Sequence, residues 1–218
     1  MNCGFSNLAT LKANLLAPAL VTSTDFDARI TTLGLGVAAQ FANYCNRKFD
    51  RAVNAQEIFA ADRVRFLLSR FPVESVSLVE LKLAESTGWQ QLDAPPWNIL
   101  QTIDTKSGII VFPNGNDVGP DYAQVRITFT GGFWWPVLDS GDAGYPDTIP
   151  AGANALPYDL IQAWLTQCRN VWNAMDKIGD KITEVGSNVR QPSEVIAGLD
   201  LAPAVKLTLN NFARYSFT

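Results

Sequence analysis

The 218-residue chain contains no histidine. That absence alone removes Ser-His-Asp triads, Cys-His dyads, histidine general bases and histidine-bearing zinc sites. Cysteine is scarce too: Cys3, Cys45 and Cys168 are odd in number and far apart. An all-cysteine zinc site needs four thiolates, so neither a metal nor another cofactor is expected. Cys45 and Cys168 fall on the apolar faces of predicted helices, which predicts buried thiols and synthesis in a reducing cytoplasm.

Charge is thin as well. Charged residues make up 17% of the chain, hydrophobic ones 47%, and the net charge is −4. Disorder needs the opposite balance. No run of Lys or Arg occurs, and tight nucleic-acid binding works through neutralised phosphates, so a dedicated DNA- or RNA-binding domain is not expected. The start "MNCGFSNLATLK" lacks a basic beginning and an apolar core, so no secretion signal is expected. No run approaches the roughly 18–20 apolar residues of a membrane span.

Carboxylate or lysine chemistry is what composition leaves open. Glu80 and Glu85 lie around a strand end, and Asp139, Asp142 and Asp147 lie in a loop. Glycosidases use two such acids. "DSGDAG" lacks the spaced ligands and closing Glu of a calcium loop, and reads as a solvated turn-rich segment. No catalytic residue is expected.

What the chain does have is periodicity. Ser6 to Leu16 predicts a short helix capped by Ser6, with Leu8, Leu11 and Leu15 on one face. Thr24 to Lys48 predicts a long helix with Phe26, Ile30, Leu33, Val37, Phe41 and Tyr44 in one stripe. Its "LGLGVAA" lacks a preceding strand and a third glycine, so close helix packing is the better reading than a dinucleotide loop. From Gln56 to Phe133 the period becomes two, with turn-formers between short strands, as in a small antiparallel barrel or sandwich. Leu156 to Ile178 predicts a second long helix. Leu160, Trp164, Cys168, Val171, Met175 and Ile178 make a stripe that Ile161, Leu165 and Trp172 widen. A stripe this broad must be covered within the fold or by a neighbouring subunit. Gly179 to Ala202 has no clear period and reads as an extended arm. Pro203 to Tyr215 makes a final short helix, with Val205, Leu209 and Phe212 on one face.

The predicted fold is α+β: a bundle of two long and two short helices, an inserted antiparallel β-module, and an extended C-terminal arm. Residues 1–55 and 155–218 form the helical domain and arm, 56–133 the β-module, and 134–154 a loop. The β-module closes on "VRITFTGGFWWP". Gly131 and Gly132 permit backbone angles a side chain would forbid, so the chain can leave the sheet sharply. Phe133, Trp134 and Trp135 follow; three adjacent aromatics cannot all face one way, so at least one should be core. With Trp164 and Trp172 they are the candidates for an elbow or a subunit interface. Trp134 and Trp135 could instead stack sugars, which makes a carbohydrate-binding or glycan-acting module the alternative from another class.

Taken in order, these segments resemble the head–tail connector family of tailed bacteriophages, also called adaptor or head-completion proteins. The resemblance rests on Tyr44, Arg47 and Phe49 ending the first long helix, and on Gly131, Gly132 and Phe133 closing a strand. It rests also on Leu156, Pro157 and Leu160 starting a helix, and on Leu209, Phe212, Arg214 and Tyr215 near the end. It covers about Leu8 to Tyr215. The β-module and the 134–154 loop are larger than in the shortest members. The resemblance implies a non-enzymatic virion protein of the neck. Such proteins form a ring, commonly a dodecamer, below the portal protein; the ring extends the DNA channel without gripping DNA and docks the next neck or tail protein. It also implies that the C-terminal arm engages the portal, with Phe212, Arg214, Tyr215 and Phe217 as candidate anchors. A stopper or tail terminator of the same neck is a further alternative.

Overall fold

The computed structural model describes residues 3–61, 65–84, 86–91, 102–111, 124–135, 148–180 and 200–214. The fold is α+β. In chain order it comprises α1 (Leu8–Leu15), a 3-10 turn (Pro18–Leu20), α2 (Asp27–Cys45), and β1 (Ala52–Ala60). Next come β2 (Arg65–Leu67), β3 (Val73–Lys82), β4 (Gln90–Gln91), β5 (Thr102–Asp104) and β6 (Ile109–Val111). The remaining elements are β7 (Gln124–Gly131), β8 (Phe133–Trp134), β9 (Asn154–Ala155), α3 (Tyr158–Asp180) and α4 (Pro203–Asn210). They fall into two compact units. One is drawn from Met1–Asn46, Trp135–Thr148 and Leu156–Thr218, the other from Arg47–Trp134 and Ile149–Ala155.

In the helical unit, α3 packs against α1, α2 and α4. α1 is capped by Asn7, whose side chain accepts from the Thr10 N–H at 2.9 Å, so the cap is one residue later than Ser6. α2 starts at Asp27 rather than near Thr24. Asp27 is held at the helix start by Lys12 Nζ, 2.6 Å from Oδ1, and the same ammonium donates to the Ser23 carbonyl. α2 ends at Cys45 because Asn46 takes the left-handed conformation (φ 49°, ψ 47°) that Asn tolerates, so the expected extension to Lys48 does not form. Leu11, Ile30, Phe41, Leu160, Trp164 and Leu209 are fully buried. Cys3, Cys45 and Cys168 are all buried, and burial pushes the Cys168 thiol well above its ordinary range.

The β unit holds a four-stranded antiparallel sheet ordered β1-β7-β3-β4 and a three-stranded antiparallel sheet ordered β2-β6-β5. No barrel closes among the described residues. One core draws on both sheets, with Phe66, Leu68, Ile110, Val125, Ile127 and Phe129 fully buried. β7 is central and runs out of alternation: Thr128 and Thr130 are buried as well as Ile127 and Phe129. A third pair, β8 with β9, is parallel and joins Phe133 to Asn154 and Trp134 to Ala155. The 134–154 segment, a loop by its composition, therefore begins and ends in paired strand residues. Its middle lies outside the described residues.

Candidate functional site

The motif residues at the end of β7 converge on one guanidinium. Arg47 Cζ lies 3.5 Å from the Phe71 ring centroid, 4.8 Å from Phe49 and 5.1 Å from Phe133. Arg47 is itself buried. A cation–π contact is worth about 2 kcal/mol when desolvated, against about 0.5–1 at an exposed site. The glycines before Phe133 serve close approach. A Cβ on Gly131 would sit 2.9 Å from both the Arg70 and Pro72 carbonyl oxygens. Gly132 has φ +99°, and a Cβ there would sit 2.4 Å from the Asp50 carbonyl oxygen. The backbone locks in place: Gly132 N–H donates to Pro72 O at 2.9 Å, Phe133 N–H to Phe49 O at 2.8 Å, and Arg51 N–H to Phe133 O at 3.0 Å. This cluster anchors the end of the sheet.

The candidate aromatics separate by burial. Phe133 is buried in the β unit and Trp134 is half-buried there. Trp135 is buried in the helical unit, its ring 5.7 Å from that of Phe5. Trp164 is fully buried and donates from Nε1 to the Gly34 carbonyl at 3.0 Å. Trp172 is half-buried, with Phe26 edge-on at 6.1 Å and the Arg29 guanidinium 5.0 Å above its ring.

The C-terminal candidates lie where α4 meets α2. Arg214 N–H donates to the Cys45 carbonyl at 2.9 Å, and Tyr44 Oη donates to Asn210 Oδ1 at 2.8 Å. Val205 and Leu209 are buried, while Phe212 and Arg214 are half-buried. Tyr215 and Phe217 lie outside the described residues, as does most of the predicted arm (residues 181–199). The arm's last residues are tied down by Gln167, a fully buried side chain on α3. Its amide donates to Asp200 O at 2.9 Å, and its Oε1 accepts from Ala202 N–H at 3.0 Å. A Gln within an apolar stripe was the available signal for that role, and periodicity alone passes over it.

Sequence reading also missed an open groove of about 500 Å³ between α2 and α3. Leu33, Val37, Val171 and Met175 line it, with Arg29 and Gln40 also at its wall. Gly36 opens it: a Cβ built there would meet no atom within 4 Å. No described helix is long and apolar enough to cross a membrane.

No protein-family model and no curated protein matches the sequence. Solved structures do share the fold. A chain in the neck of an empty gene transfer agent particle, computed with C6 symmetry, aligns with a TM-score of 0.55 at 15% identity; the alignment covers 98% of this chain and 92% of that one. A chain from the virion of the native gene transfer agent particle aligns with a TM-score of 0.53 at 15% identity over the same shares. At this identity the likeness establishes a common fold.

Proposed function

We propose that the chain is a structural protein of the neck of a tailed-phage or related particle, acting as its head–tail adaptor. The observation that carries this reading is the near end-to-end fold similarity to a chain from such a neck. The motif order from Tyr44 to Tyr215 supports it independently. In this role copies form a ring below the portal protein, continue the DNA channel, and present a surface to the next neck or tail protein. A ring of twelve contains sixfold symmetry, which is compatible with the symmetry of the neighbouring neck. The net charge of −4 suits a channel that conducts DNA without holding it. No catalytic, metal or cofactor role is proposed. The chain would be made in the host cytoplasm and end in the virion. The glycan-binding alternative gains little, since Trp135 is buried and leaves only the half-buried Trp134 of that pair.

The portal-facing candidates remain Phe212, Arg214, Tyr215 and Phe217. Electron microscopy of purified particles is the direct test. A ring of this protein between portal and tail is the expected result, and necks without the protein would overturn the reading. For the anchors, truncation after Arg214 combined with Phe212→Ala should abolish capture by purified portal while the helical far-ultraviolet signal stays unchanged. Undiminished capture would sink the anchor assignment. Truncation after Ala202 is a poor test, because it strips Val205 and Leu209 from the helical core.

A further inference from the structure

The groove between α2 and α3 has a lining of definable chemistry. Its floor is apolar, formed by Leu33, Val37, Val171 and Met175. One positive charge stands at its wall: Arg29, an exposed residue whose guanidinium lies 5.0 Å over the Trp172 ring. Elsewhere on the same unit the start of α3 projects a matching group. Tyr158 is 74% exposed, the most exposed large apolar residue among those described. Asp159 beside it is also exposed. Its Oδ1 accepts from the Leu160 N–H at 2.8 Å, and its other oxygen can still meet a cation.

We propose that this groove receives Tyr158 from a second copy of the chain, with Asp159 of that copy facing Arg29. This rests on the reading above that copies assemble, and it names the surfaces they use. A tyrosine ring buries about 150–250 Å² and brings a hydroxyl that needs a partner once dry. The groove is open, so that hydroxyl can keep water as its partner. The charges are complementary, which fixes the register of the approach. Knob and groove lie at opposite ends of α3, separated by 13 to 17 residues, or about 20–25 Å at helical rise. They cannot meet within one chain. Repeated head to tail, such a contact between two different patches closes into a ring when the rotation between copies divides a full turn.

Gly36 makes the test clean, because it lines the groove and a Cβ there meets no atom of its own chain within 4 Å. Gly36→Leu should leave the full-length protein folded, with no fall in melting temperature. It should also weaken self-association by about thirtyfold, the effect of losing a central anchor, as read by sedimentation equilibrium and by incorporation into particles. Asp159→Arg and Arg29→Asp should each weaken association by about tenfold, and the two together should restore it. Cysteines placed at positions 36 and 158 should form an oxidative cross-link between subunits, giving a ladder from the purified chain or from particles. Particles that hold a ring but give no 36–158 cross-link overturn this surface and leave the neck assignment standing. Loss of incorporation in Gly36→Leu without that cross-link means that another protein fills the groove, which also overturns it. Necks lacking the protein would overturn the neck assignment instead.

Discussion

The two units are held by different kinds of bond. In the β unit the backbone does the joining. β7 is laddered to β1 on one side and β3 on the other, and charge pairs cross the same strands. Glu80 and Arg126 are directly opposed in register, and the Arg126 guanidinium donates two hydrogen bonds to the Glu80 carboxylate, each of 2.6 Å. Arg51 and Glu74 make another such pair, at 2.7 Å and 2.8 Å. In the helical unit the backbone hydrogen bonds are mostly consumed inside each helix. The helices are oriented by shape and by side chains that reach a foreign backbone. Trp164 reaches Gly34, Gln167 reaches Asp200 and Ala202, and Arg169 donates to the Asn14 carbonyl at 2.8 Å. Register is thus written into the sheet's own ladder, whereas the helical arrangement depends on a few side chains.

The sharpest way to break that contrast is Trp164→Ala. It empties the largest fully buried side chain and removes the indole hydrogen bond that ties α3 to the Gly34 carbonyl of α2. A loss of about 5 kcal/mol is expected. Hydrogen exchange should rise throughout α2 and α3 while the β7 amides keep their protection. Equal loss of protection in both units would show that the two share one fate.

The counterpart in the β unit is Arg51→Met. Both Arg51 and Glu74 are only 8% exposed, so the variant leaves a nearly dry carboxylate with its main cation gone. A loss of about 3 kcal/mol in urea unfolding is expected. Arg51→Met with Glu74→Leu should recover most of it, because removing both charges removes the desolvation cost. Failure of the double variant to recover would mean that the pair is needed for packing as well as charge balance.

Periodicity made the helices legible, since a stripe such as Leu160, Trp164, Cys168 and Val171 has one physical reading. Their ends were less so. Lys12 placing the start of α2 and Asn46 stopping it are contacts and conformations, not spacings. The alternating strands announced a β-module, but pairing order is long-range, and the split into separate sheets is not contained in any short window. Of the candidate site, the close-approach glycines Gly131 and Gly132 were readable because only glycine survives there. The convergence of Phe49, Phe71 and Phe133 on Arg47 needs three distant segments to meet. The α2–α3 groove was invisible for the same reason, and the two glycines in the middle of α2, one of which lines it, read simply as close packing.

Those small residues give the finest test of the helical unit. Gly34 and Gly36 sit two positions apart in α2 and face opposite circumstances. A Cβ at Gly34 would lie 2.3 Å from the Cys3 carbonyl oxygen and 2.8 Å from Leu11 Cδ2, whereas one at Gly36 meets nothing. Gly34→Ala should therefore cost about 1–3 kcal/mol through overpacking, even though alanine is the better helix former. Gly36→Ala should gain up to about 1 kcal/mol, because the exposed helix interior loses its most flexible residue and no contact opposes the change. In thermal unfolding the two variants should move in opposite directions, the second by about +2–4 °C. Parallel shifts would mean that helix propensity, rather than the packing of α2 on its neighbours, decides the stability of this unit.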